Sequence, residues 1–243
     1  MQSRFTTTSW SKVLAAREAP SAQAREALEA LCQAYWYPLY AYVRRQGHDA
    51  DEAGDLTQAY FAELIEKSYL EDYDPSRGRF RVFLRASVRH FLSKQREKAL
   101  TWKRGGRTKT ISFDAQEVES RYRHEPVDRL TPEEVFERRW ALTVLESGLA
   151  KLRTEQREAG RGREFERLEG FLTGQEATVS YSEVAAELAT SEGAIKTMIH
   201  RLRQRFGHLL RGEIAQTVAG PEEVDDEVKY LLGVVAPWGP GPS

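Results

Sequence analysis

The sequence predicts an all-α protein of two small helical domains joined by a flexible linker. Apolar residues recur at i, i+3, i+4 and i+7 along most of the chain, whereas strand-like alternation is scarce and no fixed-period repeat is visible. Between Thr101 and Thr131 that periodicity stops, and Gly105, Gly106 and Pro126 appear. The 243 residues, 40% hydrophobic and 30% charged, suit a charge-rich globular chain. The expected limits are an N-terminal extension over 1–20, a first domain over 21–100, the linker over 101–131 and a second domain over 132–218. An acidic, Pro/Gly-rich tail follows over 219–243.

In chain order, a first helix is expected from about Ser21 to Arg45, with Leu28, Leu31, Tyr35, Leu39 and Tyr42 on one face. Pro38 should kink or split it, because proline lacks the amide that closes a helical turn. A second helix runs from about Asp49 to Lys67 with Leu56, Tyr60, Phe61 and Leu64 inward. Asp49, Asp51 and Glu52 suit the positive end of its dipole. Tyr73–Gly78 reads as a turn. A third helix, Phe80 to about Leu100, places Phe80, Phe83, Leu84, Ser87, Val88, Phe91 and Leu92 on its apolar side. Arg81, Arg85 and Arg89 form a four-residue ridge on another side.

Beyond the linker, Thr131-Pro132-Glu133-Glu134 is a helix start, with proline at the first helical position. That helix passes Phe136 and Trp140 to about Lys151, and a shorter one spans about Arg163–Leu172. Ser180 and Glu183 have capping-box form ahead of a helix over Tyr181–Leu188. Ala189-Thr190 turns the chain to Ser191, a second N-cap, and a helix from Glu192 to about Leu210. There Ile195, Ile199, Leu202, Phe206 and Leu209 share one sector. Lys196, Thr197, His200, Arg201, Arg203 and Gln204 lie opposite. A short helix, a tight turn and a second helix with a donor-rich face can enter a DNA major groove. After Val218 come Glu222–Glu227, read as a solvated acidic stretch, a helical piece to Leu232, and a tail expected to be disordered.

Charge is segregated although the net value is only −1. Ten acidic residues face four basic ones between Arg25 and Asp72, and twelve basic residues face Glu97 alone between Pro75 and Lys109. Such a chain should present two kinds of partner surface. No phosphate-cradling glycine loop, helical His-Glu-x-x-His or Cys/His cluster occurs, so no catalytic residue, metal ligand or cofactor is expected and the chain does not read as an enzyme. No apolar run approaches the roughly 18 residues of a spanning helix. The lone Cys32 and the absence of an export signal in the first residues suit the cytoplasm.

Tyr181–Arg203 resembles region 4 of bacterial sigma factors of the extracytoplasmic-function (ECF) type, which carry RNA polymerase to promoters. Asp55-Leu56-Thr57-Gln58-Ala59-Tyr60-Phe61 is similar to that family's region 2.2, and Tyr73–Leu84 to its regions 2.3 and 2.4. The resemblance spans about Ala24–Lys98 and Pro132–Val218. Within the family, the linker and the Ala215–Val218 ending look like the ECF-like groups of Planctomycetes and their relatives.

The resemblance implies two partners, core RNA polymerase and promoter DNA. Glu52, Asp55, Leu56, Gln58 and Phe61 would dock on the clamp helices of the largest polymerase subunit. Arg81, Arg85, Arg89, His90, Lys94 and Arg96 would serve the minus-10 element, and Lys196, Thr197, His200, Arg201 and Arg203 the minus-35 element. An anti-sigma factor or a Ser/Thr kinase is a further implied partner. Gly54 stands where the family usually has an acidic residue, and in some relatives a nearby phosphothreonine compensates, which points to Thr57 or Thr101. His90 and Lys94 also depart from the family's usual Asn and Asp, so promoter preference does not carry over. Two other readings remain. A helix-turn-helix regulator that ignores polymerase leaves Asp55–Phe61 without a role. An all-helical protein-interaction adaptor predicts no DNA affinity at any salt concentration.

Overall fold

The computed structural model describes residues 22–66, 74, 78–101, 119–122, 130–173, 180–215, 217, 218 and 220–236. Every regular element among them is helical. The chain divides into two compact units, Met1–Ala141 with Gln216–Glu223, and Leu142–Ala215 with Val224–Ser243.

The first unit opens with α1, Ala22–Arg45, which runs through Pro38 as one helix. Tyr35 to Val43 is buried without a break, and this packing outweighs the one backbone bond that proline removes. The side chains of Leu28 and Leu31 lie outside the described residues. In α2, Ala50–Glu66, the first turn is capped by Asp49, whose Oδ1 accepts the Glu52 amide at 2.8 Å. The amphipathic α3, Phe80–Thr101, buries Phe80, Leu84, Val88, Phe91 and Leu92, as its spacing predicts. Tyr60 joins α2 to α3, its ring 5.6 Å from that of Phe91.

Two described pieces of the expected linker are held on α1. Glu119 accepts bonds from Tyr40 Oη at 2.7 Å and Arg44 Nη2 at 2.8 Å. The Arg44 guanidinium also lies 4.8 Å from the Tyr122 ring, and Arg45 Nε donates to the Leu130 carbonyl at 2.6 Å. Burial first, and then Glu119, pushes the Tyr40 hydroxyl's pKa up. The rest of the linker lies outside the described residues.

Thr131 and Glu134 form a capping box ahead of α4, Pro132–Glu158. The composition break puts the start of the second domain at 132, but the division by packing falls inside α4, after Ala141. Phe136 and Trp140 account for the difference. Both are buried, Phe136 against Tyr42 at 6.4 Å and Trp140 under the Arg81 guanidinium at 5.1 Å.

In the second unit α4 ends at Glu158, and Gly160 just beyond it has a φ of 74°, which suits the left-handed position after a helix. The short α5, Gly162–Leu168, and α6, Gly170–Thr173, replace the single helix expected there. Then come α7, Tyr181–Glu187, and α8, Glu192–Ile214. Their core joins Leu152, Phe165 and Leu168 to Val184, Ala185, Ile195, Ile199 and Leu202. Where α4 meets α8, a Cβ on Gly148 would stand 2.9 Å from Leu210 Cδ2, so a larger residue there would make the Leu210 side chain shift.

Glu222, Asp225 and Asp226 of the acidic stretch are exposed as its composition leads one to expect, but Glu227 is buried. Pro221–Glu223 forms a 3₁₀ turn and Val224–Val235 a helix, α9, which buries Val224, Glu227 and Leu231. Asp225 pairs with Arg211 of α8 at 3.0 Å. The spacing of Val224, Glu227 and Leu231 supplies an inward stripe that a count of acidic residues overlooks. Residues 237–243 lie outside the described residues.

Candidate functional site

The helix-turn-helix of the second unit is positioned by local chemistry. Ser180 and Glu183 form a reciprocal capping box, with Ser180 N donating to Glu183 Oε2 at 2.7 Å and Glu183 N donating to Ser180 Oγ at 3.3 Å. The Ser180 amide, and then its hydroxyl, hold the Glu183 carboxyl below its usual pKa. At the other end of α7, Thr190 N donates to Ala185 O at 2.9 Å and Ala189 N to Ala186 O at 3.3 Å. Those two bonds make a Schellman motif with Ala189 in the left-handed position, φ 49°. Ser191 then caps α8, accepting the Ala194 amide at 3.2 Å. Alanine is strained at a positive φ, so Ala189→Gly is expected to raise stability by roughly 0.5–1 kcal/mol, read as a higher thermal midpoint.

These caps fix how α8 rotates about its axis. Ile195, Ile199 and Leu202 are buried, while Lys196, Thr197, His200, Arg201, Arg203 and Gln204 are exposed along one side. Not all of the donors are equally available. Thr197 Oγ1 donates to the Gly193 carbonyl at 2.9 Å, and Arg203 Nη2 to the Phe171 carbonyl at 2.8 Å. The Lys196 ammonium sits 5.6 Å from the Tyr181 ring centre. Arg205, next along the helix, is tied to Glu155 at 2.6 Å.

On α3 the predicted ridge is divided. Arg89, His90, Lys94 and Arg96 are exposed, and Arg96 donates to Gln46 Oε1 at 2.8 Å. Arg81 is only 5% exposed, and its Nη1 donates to Glu137 of α4 at 2.5 Å. Arg85 is half-buried and donates to the other Glu137 oxygen at 2.8 Å. In this structure Arg81 is therefore not presented to solvent as the ridge pattern expects, because a carboxylate distant in sequence holds it. Phe80 and Phe91 are core residues and offer no ring to an unstacked base.

On α2, Asp51, Glu52, Asp55 and Ala62 are exposed, with Leu56 and Gln58 half-buried. Glu52 Oε2 lies 2.9 Å from Nδ1 of His48. Ile65 is 47% exposed and lies in line with Asp51 and Gln58, seven residues apart. A pattern that counts every apolar residue as core overlooks Ile65; its signal is an aliphatic residue in the acidic row. Among the described residues no group of three or more His, Cys, Asp or Glu side chains could hold a metal ion. Nor is any described helix long and apolar enough to cross a membrane.

A family profile described as ECF sigma factor matches residues 24–212. The chain belongs to the ECF sigma factor family. Searches of curated proteins and of solved structures give no match. ECF sigma factors act in transcription initiation and partner with core RNA polymerase, promoter DNA and anti-sigma factors.

Two of the residues singled out on α2 of this sigma factor are not on its surface. Phe61, expected at the polymerase interface, is 4% exposed with its ring 5.7 Å from that of Tyr60. Thr57, a candidate phosphate acceptor, is 0% exposed and its hydroxyl has no hydrogen-bond partner. A phosphate there would have to enter the helix packing. Thr57→Glu is accordingly expected to destabilise the protein by more than about 3 kcal/mol rather than mimic a phosphate, because it buries an unpaired charge. Thr57→Val, which removes only an unpaired hydroxyl, should be neutral or stabilising by up to about 1 kcal/mol. Chemical denaturation of the two variants measures both effects. The Thr101 side chain lies outside the described residues.

Proposed function

We propose that this sigma factor docks core RNA polymerase through the exposed side of α2 and reads promoter DNA with two separate helices. Glu52, Asp55, Leu56, Gln58 and Ile65 form the docking row toward the clamp helices of the largest subunit. Arg89, His90, Lys94 and Arg96 of α3 attend the minus-10 element and its melting, with the first unit acting as region 2. The second unit acts as region 4. There Lys196, Thr197, His200, Arg201 and Arg203 attend the minus-35 element, and Thr197 and Arg203 must exchange their present partners for DNA. The cytoplasm is the compartment in which this would occur.

The observation that carries the reading is the α8 surface. Two N-caps and a buried aliphatic sector leave its donors on one solvent-facing side, as insertion into a major groove requires. Lysine and arginine can bond guanine edges or phosphates, whereas threonine and histidine make shorter polar contacts. The acidic row on α2 supports a second, protein partner, because it would repel DNA phosphates.

Run-off transcription with core polymerase and this protein on genomic fragments tests the reading, with start sites mapped. Discrete start sites that need the protein are expected. Capture of core polymerase should be lost in the Asp55→Ala plus Gln58→Ala variant. Duplex binding without polymerase capture would make the chain a helix-turn-helix regulator instead.

A further inference from the structure

Glu137 is a carboxylate inside the first unit, 5% exposed, and it bridges two guanidinium groups of α3. Its partners, Arg81 at 2.5 Å and Arg85 at 2.8 Å, are successive members of the ridge whose third member, Arg89, is exposed. Trp140, one turn further along α4, covers the Arg81 guanidinium at 5.1 Å. The start of α4 is held there by its capping box and by Arg45 on the Leu130 carbonyl. Toward two arginines, a carboxylate offers the same anionic acceptor oxygens as a phosphodiester.

We propose that residues 132–141 are a built-in competitor for the nucleic-acid backbone. In the free protein, Glu137 occupies the place on Arg81 and Arg85 that a phosphate of a melted DNA strand takes in the complex. Binding along α3 exchanges one anion for another. Arg81 and Arg85 pass from Glu137 to phosphate, Glu137 turns to water, and Trp140 loses its cover. Breaking the Arg81–Glu137 pair with nothing in its place would leave two charges that are each 5% exposed without that partner, so the exchange proceeds when a polyanion is present to take over. The device keeps two of the three ridge arginines from binding nucleic acid until that point. This inference rests on the proposed reading of α3 as a DNA surface.

The full chain tests it, with a fluorescently labelled oligothymidine and a forked duplex as probes. Glu137→Gln keeps the shape of the side chain and removes its charge. It is expected to raise affinity for the oligothymidine several-fold. The slope of log affinity against log salt should stay close to that of the wild type, because both proteins make the same phosphate contacts once bound. Unchanged affinity would overturn the competitor. A second measurement needs no substitution at the latch. In protein labelled with 5-fluorotryptophan, the Trp140 fluorine resonance, assigned by its loss in Trp140→Phe, should shift toward its solvent-exposed position on saturation with DNA. A resonance that stays in place under saturation would also overturn the proposal. Arg89→Gln with Lys94→Gln separates the two levels. If that pair leaves DNA binding intact, α3 is not a DNA surface and the underlying reading fails. If it weakens binding while Glu137→Gln changes nothing, only the competitor fails.

Discussion

Replacing Lys196 and Arg201 together by alanine is expected to lower affinity for a cognate promoter duplex by at least roughly 30-fold, since each good side-chain contact to a base edge contributes about 1–3 kcal/mol. Both side chains are exposed on α8, and neither belongs to the core beneath it. The loss should therefore come without a fall in thermal midpoint. Fluorescence anisotropy across a salt series reads it, with promoter and unrelated duplexes compared. Loss of discrimination at a constant salt slope would indicate base contacts, and a shallower slope would indicate phosphate contacts. Unchanged affinity would remove this side of α8 from the DNA. Arg203 is a different case. Its bond to the Phe171 carbonyl ties α8 to α6, so Arg203→Ala mixes a structural effect with any effect on binding.

Phe80→Ala is expected to cost the first unit about 3–5 kcal/mol, the range for truncating a large aromatic in a core that cannot collapse around the gap. Phe80 begins α3 and is fully buried. Its ring meets Tyr35 edge-on at 5.5 Å and Phe83 at 5.6 Å, so one truncation removes two aromatic contacts as well as the buried area. The same truncation at half-buried Phe83 should cost clearly less. Urea titration followed by circular dichroism resolves the two. A loss below about 1 kcal/mol at Phe80 would mean that α1 and α3 do not pack as described.

Most helix limits were legible from residues within four positions of each other. Ser180 with Glu183, Ser191 with Ala194, and Thr131 with Glu134 make bonds whose spacing is visible in a linear chain. The buried and exposed sides of α8 and the apolar side of α3 follow from the helical period in the same way. The expectations that changed depend on distant partners. Pro38 stays within one helix because the residues around it are buried. Glu119 holds Arg44 across 75 positions, inside a stretch that composition reads as linker.

The sequence by itself determined an all-helical chain, the caps and turn of its helix-turn-helix, and the sides of α3 and α8 on which cations stand. Only the tertiary structure decided which of those cations remain available. Arg81 and Arg89 are indistinguishable as members of a four-residue ridge, yet one is buried against Glu137, 56 positions away, and the other faces solvent. Likewise, periodicity places Phe61 inward on α2, but the neighbours packed against α2 determine that Thr57 is buried as well and that Ile65 is not. The physical reason is one of range. Capping and periodicity are satisfied within a turn or two of helix, whereas an ion pair or a buried face is settled by which remote segment the fold brings into contact.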